Sequence, residues 1–441
     1  MGVTRAMRIR KLAAIAVAAI AAVACGSGTS GSTGTGAQLD ALNKKVTVTM
    51  WEGISGAPET ALKAAADSFN SSQSNVTVSI VNKGNYNDLR QALLTSLAAG
   101  NPPDAAQCYE NHAAKYLQSN AIADLGPYMS AKDGLTSADT KDIFPALLKD
   151  GQLNGKQYMF PFNKSTTVLY YNKDMLAAKG ITNPPATWDE VFADSEKVAD
   201  KGNGIFGVAA PAFDTWVSQL YEYGGSLYDS DKNPKKAGFN SAVGQQITQK
   251  WRDEVSSGAA KVVTGTGFPD QVAFQNQKSA FYIASIASYT FIKGPIGSKF
   301  KWAEAPFPAG PKGTMDALFG TNACIFSKAS KDVQHGAFLF LKYFTGKDQQ
   351  VAWSKTSGYM PDRLSAFEQL KTDLYTTTPD LATGVTMLSK NQLFEEPPTT
   401  TSDDQRTGIT TELGNAFSGT KPVNQALSDA ASKVNDLLTT G

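Results

Sequence analysis

Histidine and cysteine are scarce in this 441-residue chain: His112 and His335, then Cys25, Cys108 and Cys324. A structural zinc site takes four ligands, mostly Cys and His, so little is left to build one. Charge of one sign is lacking too. Lys and Arg number 41 against 40 Asp and Glu, for a formal net charge of +1. That balance offers no electrostatic basis for a nucleic-acid partner. No G-x-S-x-G elbow and no H-E-x-x-H pair is present, and neither His sits in a recognisable triad. An exported hydrolase of glycerophosphodiesters or glycans would need paired acids at fixed separation or a metal cluster, and no such set stands out. What is present is an ordinary apolar fraction, 41%, over a length that suits two to three domains.

The only long apolar run lies at the start. Arg5, Arg8, Arg10 and Lys11 precede Leu12 to Ala24, a run shorter than the ~20 residues that span a bilayer but suited to secretion. Val23-Ala24-Cys25-Gly26 resembles the bacterial lipobox, which implies lipid on the Cys25 sulfur and cleavage before it. Residues 1–25 are therefore expected to be a lipoprotein signal peptide. Gly26 to Gly36 holds only Gly, Ser and Thr, so 26–39 is expected to be a flexible tether. The implied location is extracytoplasmic, lipid-anchored to the cell membrane. There Cys108 and Cys324 meet oxidising conditions, and either a bridge or two buried free thiols would fit.

Beyond the tether, Val46 to Met50 alternates apolar and polar residues, as a half-buried strand does. Pro58 to Asn70 carries Leu62, Ala65, Ala66 and Phe69 at helical spacing. A strand at 76–80, a helix at 86–99 and a short strand at 105–109 follow. This order predicts a parallel sheet with right-handed crossovers. Further strands are expected at 166–172, 281–284 and 317–327. Helices are expected at 188–201, 217–223, 241–256, 268–276, 334–344, 347–354, 404–418 and 423–438.

Several motifs are set aside. Gly202-Asn-Gly204-Ile-Phe-Gly207 matches G-x-G-x-x-G but follows a helix, so it is a turn and not a dinucleotide loop. Asp229-Ser-Asp231-Lys-Asn233 starts like a calcium loop, yet Pro234 and Asn240 stand where Gly and Glu belong. Glu395-Glu396 before Pro397-Pro398 suggests a surface loop. More informative are Trp51, Lys83-Gly-Asn-Tyr86 and Tyr109-Glu110, each at the carboxyl end of an expected strand. In open α/β sheets ligands bind there, and rings beside carboxylates suit polyols.

The stretches TALKAAADSFN, LLTSLAAGNPPDA, VLYYNKDML with PPATWDE, SKTSGYMP and PVNQALSDA resemble the extracellular solute-binding proteins of ATP-driven importers. The likeness runs along nearly all of 44–440. It implies an α/β, two-lobed periplasmic-binding-protein-like (type II) fold with a hinged ligand cleft. Lobes of 40–162 plus 303–330 and of 163–302 plus 331–441 are expected, with crossings near Pro161, Trp302 and Ser330. Within the family the chain most resembles binders of glycerol 3-phosphate and glycerophosphodiesters. Lys83-Gly-Asn-Tyr86 is similar to their K-G-N-Y, Gln107-Cys-Tyr-Glu110 to Q-V-Y-E, and Pro161-Phe-Asn-Lys164-Ser165-Thr166 to P-F-N-S-S-T. Ala284-Ser285 and Gly358-Tyr359-Met-Pro361 match as well, and Arg406 matches an arginine in the late helix.

The resemblance implies that Tyr86, Ser165, Ser285, Tyr359 and Arg406 surround a phosphate and that Glu110 takes glycerol hydroxyls. Their G-W-Q-G-W is Ala212-Phe213-Asp-Thr-Trp216 here, and a glycine pair is Gly320-Thr321. Phe213, Trp216 and Gly320 would then meet the head group beyond the phosphate. A diester or a neutral sugar is an alternative ligand. The implied partners are permease subunits and a separate ATPase; a monomer without cofactor or metal is expected.

Overall fold

The computed structural model describes residues 38–265 and 267–440. Cys25, the signal segment and all but the last two residues of the tether lie outside them. The expected first strands and helices form as β1 (Val46–Glu52), α1 (Ala57–Ser72), β2 (Val76–Asn82), α2 (Tyr86–Ala98), β3 (Ala105–Cys108) and α3 (Glu110–Gln118). Alternation in β1 buries Val48 and Met50. Pro58 enters α1 near its N-terminus, where a missing N–H costs nothing.

The first sheet has the order β2, β1, β3, then Phe319–Ile325, then Met159–Ser165. Only β2, β1 and β3 run parallel; Phe319–Ile325 returns antiparallel to both its neighbours. The expectation of a parallel sheet holds for the first half alone. Phe160, Phe162, Phe338 and Phe344 fill the space beside this sheet. Phe338 meets Phe160 edge-on at 5.4 Å, and truncating such a ring to Ala costs about 3–5 kcal/mol. Cys108 and Cys324 are joined by a disulfide, with Cα atoms 6.0 Å apart, which decides between the two alternatives left open above.

A second sheet centres on Thr167–Asn172, with Phe281–Ser285 and Trp302–Ala305 antiparallel on either side. Leu169 faces a core containing Trp188, Trp216 and Trp251, whereas Val168 and Tyr170 join the first core. Helices Trp188–Val198, Phe213–Glu222, Ala242–Ser257, Ser402–Phe417 and Val423–Thr440 surround this second core. Thr187 and Ser241 cap two of them with their side chains, each cap worth about 1 kcal/mol.

The chain crosses from the first sheet to the second at Thr166, not near Pro161. Buried Asp316 staples the crossing: it accepts from Thr166 Oγ1 at 2.6 Å, Thr167 N at 2.7 Å and Ser218 Oγ at 2.8 Å. Burial pushes its carboxyl up to about 6, against these hydrogen bonds. Two expected lobe limits move as well. Trp302–Ala305 pairs in the second sheet, so 303–305 does not return to the first body. Helices Lys331–Phe344 and Lys347–Ser357 pack on β1 and α1, so 331–357 belongs to the first body. The G-x-G-x-x-G stretch is a turn, with Gly204 at φ +67° leading into Val208–Ala209.

Candidate functional site

A cleft of about 580 Å³ opens where α2, α3 and Phe319–Ile325 approach the start of Ser402–Phe417. Tyr86 reaches it because Asn85 caps α2: the Asn85 side chain accepts from Asn87 N and Asp88 N, and Asp88 bonds back. Tyr109 and Glu110 follow β3 at the first turn of α3 and line the same space. Gly320 lines it at φ +82°, and a Cβ there would fall 2.0 Å from Asn163 O. Only glycine fits that approach.

The expected residues form linked pairs. The hydroxyls of Tyr86 and Tyr359 lie 3.0 Å apart, and Asn163 Nδ2 donates to Tyr86 at 3.0 Å. Ser165 and Ser285 bond through their hydroxyls at 2.5 Å, beside cleft-lining Phe319, which is the ladder partner of Ser165. Arg406 lines the far wall, its guanidinium 4.4 Å from the Phe213 ring centre. It forms ion pairs with Asp214 and Glu396. Burial raises the Glu396 carboxyl and the Arg406 charge opposes it. Glu396 is thus part of the cleft wall and not of a surface loop.

Three expectations are corrected. Trp216 does not reach the cleft: its ring is fully buried in the second core, and Nε1 donates to Thr248 Oγ1 at 3.0 Å. Phe213 is buried beneath Arg406 and supports it. Trp51 is likewise engaged elsewhere, stacked under Lys83 with Nζ 3.8 Å from the ring centre.

Polar groups that line the cleft or pack behind it were not expected. Lys164, with no exposed surface, donates to Asp150 Oδ2 at 2.7 Å and to Glu110 Oε1 at 3.1 Å. Asn322 Nδ2 reaches the same two oxygens at 2.7 and 2.5 Å. Burial alone would favour neutral Lys164, but the two carboxylates hold it protonated. Burial first, then Asp150, raises the Glu110 carboxyl well above its ordinary value. Across the cleft, Asp403 meets Arg90 at 2.7 Å, Asn111 at 2.9 Å and His112 at 3.2 Å, and Lys149 meets Glu395 at 2.9 Å. Tyr86, Tyr109, Glu110, Asp150, Asp214, Glu396 and Arg406 thus give the cleft a lining of hydroxyls, rings and charged groups. No helix among the described residues is long and apolar enough to cross a membrane.

Residues 64–383 match the family model of the bacterial extracellular solute-binding proteins, and the chain belongs to that family. Its members bind small ligands outside the cytoplasm and work with ABC permeases; it is a transport family and not an enzyme family. The chain is 26% identical over 422 residues to the sn-glycerol-3-phosphate-binding periplasmic protein UgpB of Yersinia enterocolitica, covering 89% of this chain and 92% of that one. Its structure resembles UgpB from Mycobacterium tuberculosis in complex with glycerophosphocholine, with TM-score 0.79 and 18% identity over 90% of this chain and 99% of that one. It also resembles the cyclic alpha-maltosyl-1,6-maltose binding protein from Arthrobacter globiformis, with TM-score 0.74 and 25% identity over 90% and 100% of the two chains. The fold is the two-lobed α/β architecture of solute-binding proteins.

Proposed function

We propose that this protein captures glycerol 3-phosphate or a glycerophosphodiester and delivers it to the permease of an ABC importer. The observation that carries the reading is that Arg406, Glu110 and Tyr86 line one cleft, with Tyr359 hydrogen-bonded to Tyr86 behind it. A guanidinium flanked by hydroxyl donors suits a phosphate, a carboxylate suits glycerol hydroxyls, and the similarity to UgpB proteins supports the pairing. Closure of the two bodies would bury the ligand and create the shape the permease engages. Lipid on Cys25 would hold the protein, as a monomer, at the outer face of the membrane.

A neutral sugar is the second reading, favoured by one observation: Arg406 is already paired with two carboxylates. A thermal-shift screen of glycerol 3-phosphate, glycerophosphocholine and maltodextrins, followed by calorimetry, separates the two. Stabilisation by the phosphate ligands supports the proposal, and stabilisation by maltodextrins alone replaces it. Release of glycerol during incubation with the diester would instead indicate a hydrolase.

A further inference from the structure

Lys164 and Asn322 each reach both Asp150 Oδ2 and Glu110 Oε1. Both N–H groups of the Asn322 amide and two of the three Lys164 donors are spent on one oxygen of each acid. Asp150 Oδ1 and Glu110 Oε2 take no part in that exchange, and both residues line the cleft. Asn322 Oδ1, the other end of the same buried amide, has no partner. A carboxylate accepts through both oxygens, and a protonated carboxyl still keeps an acceptor oxygen. Two adjacent hydroxyls can supply one donor to each acid.

We infer that Asp150 and Glu110 form a two-acid subsite for a vicinal diol, with Lys164 as the positioning residue that keeps the pair aligned. The subsite deepens the reading of the cleft as a glycerol-phosphate site: the diol is the glycerol end, and the phosphate lies toward Arg406. Family resemblance points to Glu110 alone. Asp150 and Lys164 enter through their contacts in this chain.

The test measures affinities for matched pairs in which one member lacks a hydroxyl. The pairs are glycerol 3-phosphate with 3-hydroxypropyl phosphate, glycerophosphocholine with its 2-deoxy analogue, and maltose with 2-deoxymaltose. The parent is expected to prefer the diol member of a pair at least tenfold. Asp150→Asn should bring that preference below threefold, and Glu110→Gln repeats the measurement should the first variant fold poorly. A preference unchanged in a folded variant, or a parent that discriminates within no pair, overturns the subsite. Discrimination confined to the maltose pair and lost in Asp150→Asn keeps the subsite and removes the glycerol-phosphate reading.

Lys164→Met adds a readout that a structural role would not move. The charged or titratable groups acting on the pair are Lys164, Tyr109 and Glu395, and Asp362 acts on Lys164. Without the Lys164 cation Glu110 takes up its proton at still higher pH, so the acid limb of ligand affinity should shift upward. An equal loss of affinity at every pH would overturn the positioning role.

Discussion

Arg90 on α2 and Asp403 in the first turn of Ser402–Phe417 form an ion pair of 2.7 Å that joins the two bodies across the cleft. Both side chains are about one-quarter exposed, so the pair alone is worth about 1 kcal/mol or less. Asn111 and His112 add to it at the same carboxylate. Asp403→Asn should weaken ligand binding about threefold to tenfold and enlarge the unliganded protein in small-angle scattering. Unchanged scattering and affinity would leave the cluster without a part in closure. Burial alone would raise the Asp403 carboxyl, but His112 and Arg90 outweigh it and hold it below its ordinary value. The contribution is therefore full above the unfolded value of about 4 and is lost only as pH falls through the lowered one.

Arg406 carries the phosphate reading. Arg406→Ala should weaken binding of glycerol 3-phosphate or a diester by about 2–5 kcal/mol, and Arg406→Lys should restore only part of that, because Lys lacks the planar fork. Binding of a neutral sugar should change far less. Since Ala also strands Asp214 and Glu396, melting curves must accompany the calorimetry. Equal losses for charged and neutral ligands would mean that Arg406 only supports the wall.

The Cys108–Cys324 bridge closes a loop with a sequence separation of 216. Replacing both cysteines by Ala should lower unfolding free energy by about 2–5 kcal/mol, read by denaturant titration with and without reductant. Reductant should affect the parent and not the variant.

Glu222 lies in the second body, accepting from Trp188 Nε1 at 2.6 Å and Met315 N at 2.9 Å. Burial pushes its carboxyl up to about 9 despite those bonds. The native state thus binds a proton that the unfolded chain releases near pH 4, and stability declines as pH rises from there to about 9. Glu222→Gln should flatten that decline in melting temperature. The same slope in the variant would assign it to other groups.

Cys25→Ser should release the protein from membranes into the soluble fraction. Retention in the membrane fraction would place the anchor elsewhere.

Local pattern made much of the fold legible. Period-2 runs located β1 and β2, and the stripe Leu62, Ala65, Ala66 and Phe69 located α1. Strand direction was not legible, because the antiparallel return of Phe319–Ile325 depends on partners far away in sequence. Trp216 was misplaced for want of a longer helix. Phe213, Trp216, Val217 and Leu220 recur at i, i+3, i+4 and i+7, a core stripe that becomes visible once the helix is started at 213. Lys164 left a signal too, as a cation within Met159–Ser165, every residue of which is buried. Such a Lys requires acidic partners, but nothing local points to Asp150 and Glu110 as those partners. The pairing of Arg406 with Asp214 and Glu396 joins three segments that only the folded chain brings together.

Trp353 lies buried face to face with Tyr359, ring centres 5.6 Å apart and planes 11° from parallel. Tyr359 in turn holds the hydroxyl of cleft-lining Tyr86. A ligand that breaks the tyrosine pair will alter the surroundings of this indole, whereas Trp188, Trp216 and Trp251 sit together in the second core. The molecule therefore carries its own optical gauge of cleft occupancy: a ligand-dependent change in intrinsic fluorescence should be reduced in Trp353→Phe.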